Sequence, residues 1–335
     1  MPVYTAERAT VNQKIQVGVE STTALGTPVA ANKLLECFDF TWGINGDVTE
    51  YRPTGHKYAN AQEENTEWLD ISMAGNLDYN GVIYPLAGVC GSAAPASHGA
   101  SATAKDWIYT PPTLGSIVPQ TYTLQQGDAV RAQQAAYALF TTFGYKGTRK
   151  DFSCSGKLIA QPITDGATLT ATPTAIAISP VPSKHFNVYL DSTQAGLGTT
   201  QLLRALSVDF SFDTVYGPLW VLNRANLGWA AHVDTVPKAR IKLKLEADAQ
   251  GMALLGYLQS SATYYLRVQA VGGVIDVPNS VNSTFQHDMA IKVGKPSAFS
   301  DDQGVFAIEW DCVIVEDPTW GKAQVFTVTN LLTAL

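Results

Sequence analysis

The sequence is short of charge. Only 15% of its 335 residues are Asp, Glu, Lys or Arg, against roughly 25% in an ordinary globular protein. A soluble chain with so few charges is expected to have much of its nominal surface covered by partners. The charge it does carry is acidic on balance, −7. That argues against a nucleic-acid grip, because phosphate contacts on a basic face supply most non-specific affinity. No apolar run approaches the roughly 20 residues that a bilayer helix needs, so no membrane span is expected. Cys37, Cys90, Cys154 and Cys312 form no CxxC pair, and free thiols in a reducing compartment are expected. The start, MPVYTAERATVNQ, has no basic stretch followed by an apolar one, which predicts no secretion signal.

Reactive patterns are missing as well. H-E-x-x-H, Cys/His zinc spacing, a P-loop and G-x-S-x-G do not occur. His56, His98, His185, His232 and His287 stand alone in the sequence and read as structural or surface residues. Asp301, Asp302 and Gly304 lack the spaced oxygen ligands of a calcium loop and read as a turn before a strand over Val305–Trp310. No catalytic residue, metal ligand or cofactor site is assigned, and no enzyme activity or cofactor is expected.

What is present points to strands. Hydrophobic residues make up 46% of the chain, with seven Trp, 14 Tyr and abundant Thr, Val and Gly, the composition of a mainly β protein. The Trp and Tyr interleave with strand positions and read as core or interface anchors. The clearest local pattern is Lys238–Ser260, KARIKLKLEADAQGMALLGYLQS. Ile241, Leu243 and Leu245 alternate with Arg240, Lys242, Lys244 and Glu246, the period of a half-buried strand. Asp248 then stands where a helix N-cap belongs, followed by Met252, Leu255 and Leu258 on an amphipathic helix. Burying three strand aliphatics contributes about 5–9 kcal/mol, while ordering the strand backbone costs about 7–14 kcal/mol. The unit must be completed by other strands, from its own chain or another.

The chain restarts partway along. Asp39 and Asp209, Asp78 and Asp248, and Gly81 and Gly251 are each 170 positions apart, and the order of alternation, loop and cap repeats around them. Tandem duplication follows, with a first domain over 1–166, a linker over 167–183 and a second domain over 184–335. The duplication aligns an acidic strand, led by Glu63, Glu64, Glu67 and Asp70, with the basic strand of Lys238, Arg240, Lys242 and Lys244. Either these are two separate solvated faces, or acidic and basic copies meet where one domain abuts the next. The polar stretches over 43–66 and 213–235 are candidate ring-to-ring contacts, with Asp47, Tyr51, Arg52, Tyr58, Tyr216 and Arg224 as candidate residues. The apolar end VFTVTNLLTAL is expected to dock on a partner or on its own core.

Four stretches, KIQVGVESTTALGTPVAANKLLE, YRPTGHKY, TDGATLTATPTAI and DDQGVFAIEWDCVIVEDPTWGKA, together resemble the major tail tube proteins of long, non-contractile-tailed bacteriophages (siphophages), in the longer class with two tube domains per chain. The resemblance implies two tandem tail-tube-type β-sandwich domains, each with a short flanking helix. It also implies that three chains imitate a six-fold ring and that rings stack into a hollow tube. Such a tube encloses the tape-measure protein, ends at tail terminator and tail-tip proteins, and conducts DNA without specific binding. The expected location is the virion tail, assembled in the host cytoplasm. The competing expectation is a two-domain β-sandwich that binds carbohydrate or acts as an adhesin.

Overall fold

The computed structural model describes residues 8–222 and 227–335. It is mainly β, as the composition implies, with two α-helices among the described residues. In the first half the chain forms β1 (Lys14–Val19), β2 (Lys33–Leu34), β3 (Phe38–Tyr51), β4 (Ala61–Asn76) and α1 (Ile83–Cys90). It continues through β5 (Ala96–Ser97), β6 (Lys105–Tyr109), β7 (Tyr122–Gly127), β8 (Ala132–Thr148), β9 (Phe152–Ala160), β10 (Thr164–Ala167) and β11 (Thr174–Ala175). The second half opens with β12 (Phe186–Asp191), β13 (Ala205–Asp213), β14 (Tyr216–Leu219), β15 (Ala231–Asp234), β16 (Lys238–Glu246) and α2 (Ala249–Ser260). It closes with β17 (Tyr264–Asp276), β18 (Val281–Pro296), β19 (Ser300–Asp302), β20 (Val305–Ile314) and β21 (Gln324–Asn330).

The two halves pair their strands in the same way. β1–β7, β7–β8, β3–β4, β4–β9 and β8–β9 in the first half become β12–β17, β17–β18, β13–β16, β16–β20 and β18–β20 in the second. Small devices repeat too. Asp78 Oδ1 accepts the Gly81 N–H at 2.7 Å, and Asp248 Oδ1 accepts the Gly251 N–H at 2.9 Å. Glu20, at the end of β1, accepts the Gly26 N–H, and Asp191, at the end of β12, accepts the Gly198 N–H. Both glycines have positive φ, 76° and 95°, where a side chain would be strained. Each carboxylate thus closes the loop that follows the opening strand. Asp248→Ala is expected to lose about 1 kcal/mol in urea unfolding. Asp78→Ala should lose more, because Asp78 also accepts from the Asn80 and Ser179 N–H groups.

One sheet runs through both halves, in the order β3–β4–β9–β8–β13–β16–β20, with the end of β18 and β19 beyond β20. Opposite it lie β1, β2, β7 and the start of β8 in the first half, and β12, β17, β18 and β21 in the second. β8 passes from one layer to the other beside Tyr137, a residue at φ 54° whose N–H donates to Glu20 Oε1. A bend of this kind redirects a strand without breaking it.

The halves are not separate bodies. β6 of the first half pairs with β21 of the second, β8 pairs with β13, and one buried core includes residues from both. The apolar C-terminal segment docks on its own core: Asn330 accepts from Trp107 Nε1 and donates to the Tyr79 carbonyl, each at 3.0 Å. Residues 167–183, expected as a linker, form a strap. Thr170 and the Gln16 side chain bond each other twice, and Ile176 and Val181 are buried.

Pro85 lies in the first turn of α1, where the missing N–H has no intrahelical partner to lose. One local expectation needs correction. In α2 the buried residues are Gly251 and Leu254, whereas Leu255 is 40% exposed.

Candidate assembly interface

The long sheet ends in two unpaired margins. Among the described residues β3 pairs only with β4, so its other side is open along the strand. At the far end, β19 pairs there only with β20. Open margins with free backbone groups invite pairing with another chain.

The chain contains one junction of the type these margins could make. β8, the last strand of the first half's sheet, pairs with β13, the first of the second half's, from Ser207↔Thr148 to Phe212↔Phe143. On the core side Tyr145 stacks between Phe152 at 5.5 Å and Phe210 at 5.0 Å, and Phe152 also stacks on Phe186 at 3.5 Å. On the polar side Lys146 Nζ lies 3.8 Å from Asp209. Behind Phe210, the buried His287 stacks on Phe326 at 3.7 Å. Its Nδ1 faces the Tyr145 hydroxyl at 2.9 Å and its Nε2 faces Gln324 Oε1 at 3.1 Å. A carbonyl oxygen can only accept, so Nε2 carries the proton and Nδ1 accepts from Tyr145. Burial pushes the His287 pKa down to about 3. The imidazole is a neutral structural element joining the halves.

At the open end, an aromatic pair lies uncovered. Phe299 and Phe306 stack at 4.7 Å, yet are 50% and 61% exposed. Phe306 shares the core-facing side of β20 with Ile308, Trp310 and Cys312, all buried. It is exposed because the sheet stops there. At the other margin Ile44 is 62% exposed, and the buried Nε1 of Trp42 has no hydrogen-bond partner. Neither Phe was singled out in the sequence, where GVF and AFS resemble any strand end. The usable signal was aromatic residues flanking the tight turn at Gln303 and Gly304, whose φ values are 54° and 87°.

The opposite face of the long sheet is polar. Thr41, Asp70, Ser72, Ser155, Lys157, Lys146, Asp209 and Ser211 lie on it with the charges of β16 and β20, and none of these is buried. Within the chain the acidic β4 and the basic β16 do not meet. Arg240 bonds Asp311 at 2.9 Å, Lys244 bonds Asp302 at 2.7 Å, and Lys242 is 4.0 Å from Glu309. Lys238 stands opposite Asp213 in register. Both sides of β16 are occupied, by β13 and β20, and within the chain β9, β8 and β13 separate it from β4. Asp70 instead accepts from Asn45 at 2.6 Å. The Glu67 pKa is raised by burial and by the Glu64 charge, and its backbone N–H donates to the Leu227 carbonyl. Glu64 is exposed on the outer part of β4.

The candidate loop residues divide. Asp47, Tyr51, Arg52 and Tyr58 are exposed on the β3–β4 hairpin, where Asp47 accepts from the Thr66 hydroxyl at 3.0 Å. Tyr216 is buried: its hydroxyl donates to the Val89 carbonyl of α1, and its ring meets His232. The β14–β15 hairpin lies on the first half, with Trp229 Nε1 donating to the Ala160 carbonyl. Val215, Tyr216 and Trp229 are buried there, where removal of apolar surface from water favours them, whereas Leu219, Val221 and Leu222 stay exposed. Arg224 lies outside the described residues.

Among the described residues no group of His, Cys, Asp or Glu could hold a metal ion, and no helix is long and apolar enough to cross a membrane. The four cysteines are free, three of them buried, and burial pushes their thiol pKa values up. A groove of about 770 Å³ is lined by residues of 11–16, 128–132 and 166–171; of its charged residues, Asp128 pairs with Arg8 and Arg131 with Asp165. Comparison with known proteins returned no matching family model and no matching curated protein.

Proposed function

We propose that this chain is a structural subunit that self-assembles into rings stacked as a hollow tube, as in the tails of long, non-contractile-tailed phages. The observation that carries the proposal is the long sheet with an unpaired margin at each end, in a chain that already joins two like half-sheets at β8–β13. Adding copies head to tail either closes a ring, which removes the edges, or continues as an open filament. Three chains, each with two similar halves, would give six quasi-equivalent units.

The polar face supports a conduit. Several of its charges pair with one another, Lys146 with Asp209, Arg240 with Asp311 and Lys244 with Asp302, and the chain as a whole carries −7. A lining of small hydroxyls and self-neutralised charge offers little for phosphate to bind. DNA would pass without being held, and a tape-measure protein would occupy the bore during assembly. Tail terminator and tail-tip proteins would cap the tube in the virion tail, and assembly would take place in the host cytoplasm. A carbohydrate-binding role has less support, since Trp107, Trp229 and Trp310 are fully buried and cannot form a platform. Electron microscopy of the purified protein is expected to show rings or tubes, and monomers at every concentration would overturn the proposal.

A further inference from the structure

We infer that copies join through β3 of one chain and the β18–β19 end of the next, in the register that β13 and β8 show inside the chain. The inference deepens the proposed assembly and rests on it only for the premise that copies associate.

The register follows from equivalent positions. The matched caps Asp78 and Asp248 align β4 with β16, so that Met73 stands where Leu243 does. Phe40 lies opposite Met73 and Val208 opposite Leu243. Phe40 therefore takes the place of Val208, and Trp42 that of Phe210. On the other side of the same strands, Gly156 lies opposite Met73 and Trp310 opposite Leu243. Four residues earlier, Phe306 takes the place of Phe152. Gly147 pairs with Phe152 and Asp301 with Phe306; Asp301 thus replaces Gly147, and Phe299 replaces Tyr145.

The exposed pair at the open end is therefore the second-half copy of a buried pair. Tyr145 and Phe152 are buried beneath Phe210, whereas Phe299 and Phe306 have no ring over them. The residue equivalent to Phe210 is Trp42, on the unpaired margin of β3. Within one chain it lies at the opposite end of the sheet, so a second copy must supply it. The internal pairs Val208↔Gly147, Asp209↔Lys146 and Phe210↔Tyr145 become Phe40↔Asp301, Thr41↔Ser300 and Trp42↔Phe299 between chains. Thr41 and Ser300 are both exposed, and they replace an ion pair with two hydroxyls. Asp39 arrives opposite Asp302, whose charge is already held by Lys244 at 2.7 Å.

Cysteine cross-linking tests the register, because a disulfide forms only between Cα atoms about 4.4–6.8 Å apart. The double variant Thr41→Cys/Ser300→Cys, oxidised in the assembled full-length protein, is expected to give covalent multimers on a non-reducing gel. The slipped pair Asp39→Cys/Ser300→Cys should give only the trace seen with either single variant. Tubes by microscopy without cross-linking, or better cross-linking of the slipped pair, would overturn this junction and leave the tube standing. Efficient Thr41–Ser300 cross-linking in protein that forms no tube would uphold the junction and count against the tube. Monomers throughout would overturn both.

Discussion

Phe299→Ala is expected to leave the chain folded and to weaken its assembly by about 10- to 300-fold per junction. Phe299 is half exposed and Phe306 more so, so the isolated chain depends little on either ring. Covering the remaining area of one Phe contributes about 1–2 kcal/mol, and an aromatic partner adds about 0.5–1.5 kcal/mol. A ring needs all its junctions at once, so the losses compound. The control is Phe210→Ala at the equivalent internal junction. Phe210 is 1% exposed and packs against Tyr145, His287 and Phe326, and its truncation should cost about 3–5 kcal/mol of folding stability. Sedimentation read beside urea unfolding separates the two. Equal loss of stability in both variants, or undiminished assembly of Phe299→Ala, would count against a role for the open aromatic pair.

Acid is expected to destabilise the fold through His287. Its folded pKa is lowered by burial to about 3 from an ordinary 6.5, against an opposing hydrogen bond with Gln324. Below pH 6.5 the unfolded chain binds a proton that the folded chain refuses until near pH 3. Stability is therefore complete above about pH 6.5 and falls as the pH drops through this window, by on the order of 4–5 kcal/mol for this group. Asp191 titrates in the same direction: burial opposes its charge, but hydrogen bonds from Thr200, Thr199 and Gly198 outweigh it and lower its pKa. Comparing the native chain with His287→Gln isolates the imidazole. The variant should start less stable at neutral pH, because the Tyr145 and Gln324 contacts change, yet show a flatter decline between pH 6.5 and 4 in urea midpoints. An unchanged slope would remove His287 as the main acid-sensitive group.

Much of the fold was legible because strand alternation and helix caps are local. Ile241, Leu243 and Leu245 are buried as their spacing required, and Asp248 caps the helix that follows. The 170-residue spacing holds for the two Asp–Gly caps. It does not hold through β3. Counting from Asp39 to Asp209 would place Phe210 opposite Leu243, but Phe210 lies opposite Ile241. A slip of two residues keeps every side chain on its face, so alternation cannot detect it. The charges failed for a related reason. Their sign and spacing identified a polar face, whereas their partners, Asp311, Glu309 and Asp302, depend on which strand lies alongside.

By itself the sequence determined where strands alternate, where the second helix begins and that the pattern occurs twice, since each follows from residues a few positions apart. Only the tertiary structure decided that β6 crosses to the second half, that residues 167–183 lie as a strap and that Phe299 and Phe306 remain uncovered. Those outcomes depend on contacts between residues far apart in the chain. Their free energy is set by whichever surfaces meet, and local spacing carries no record of it.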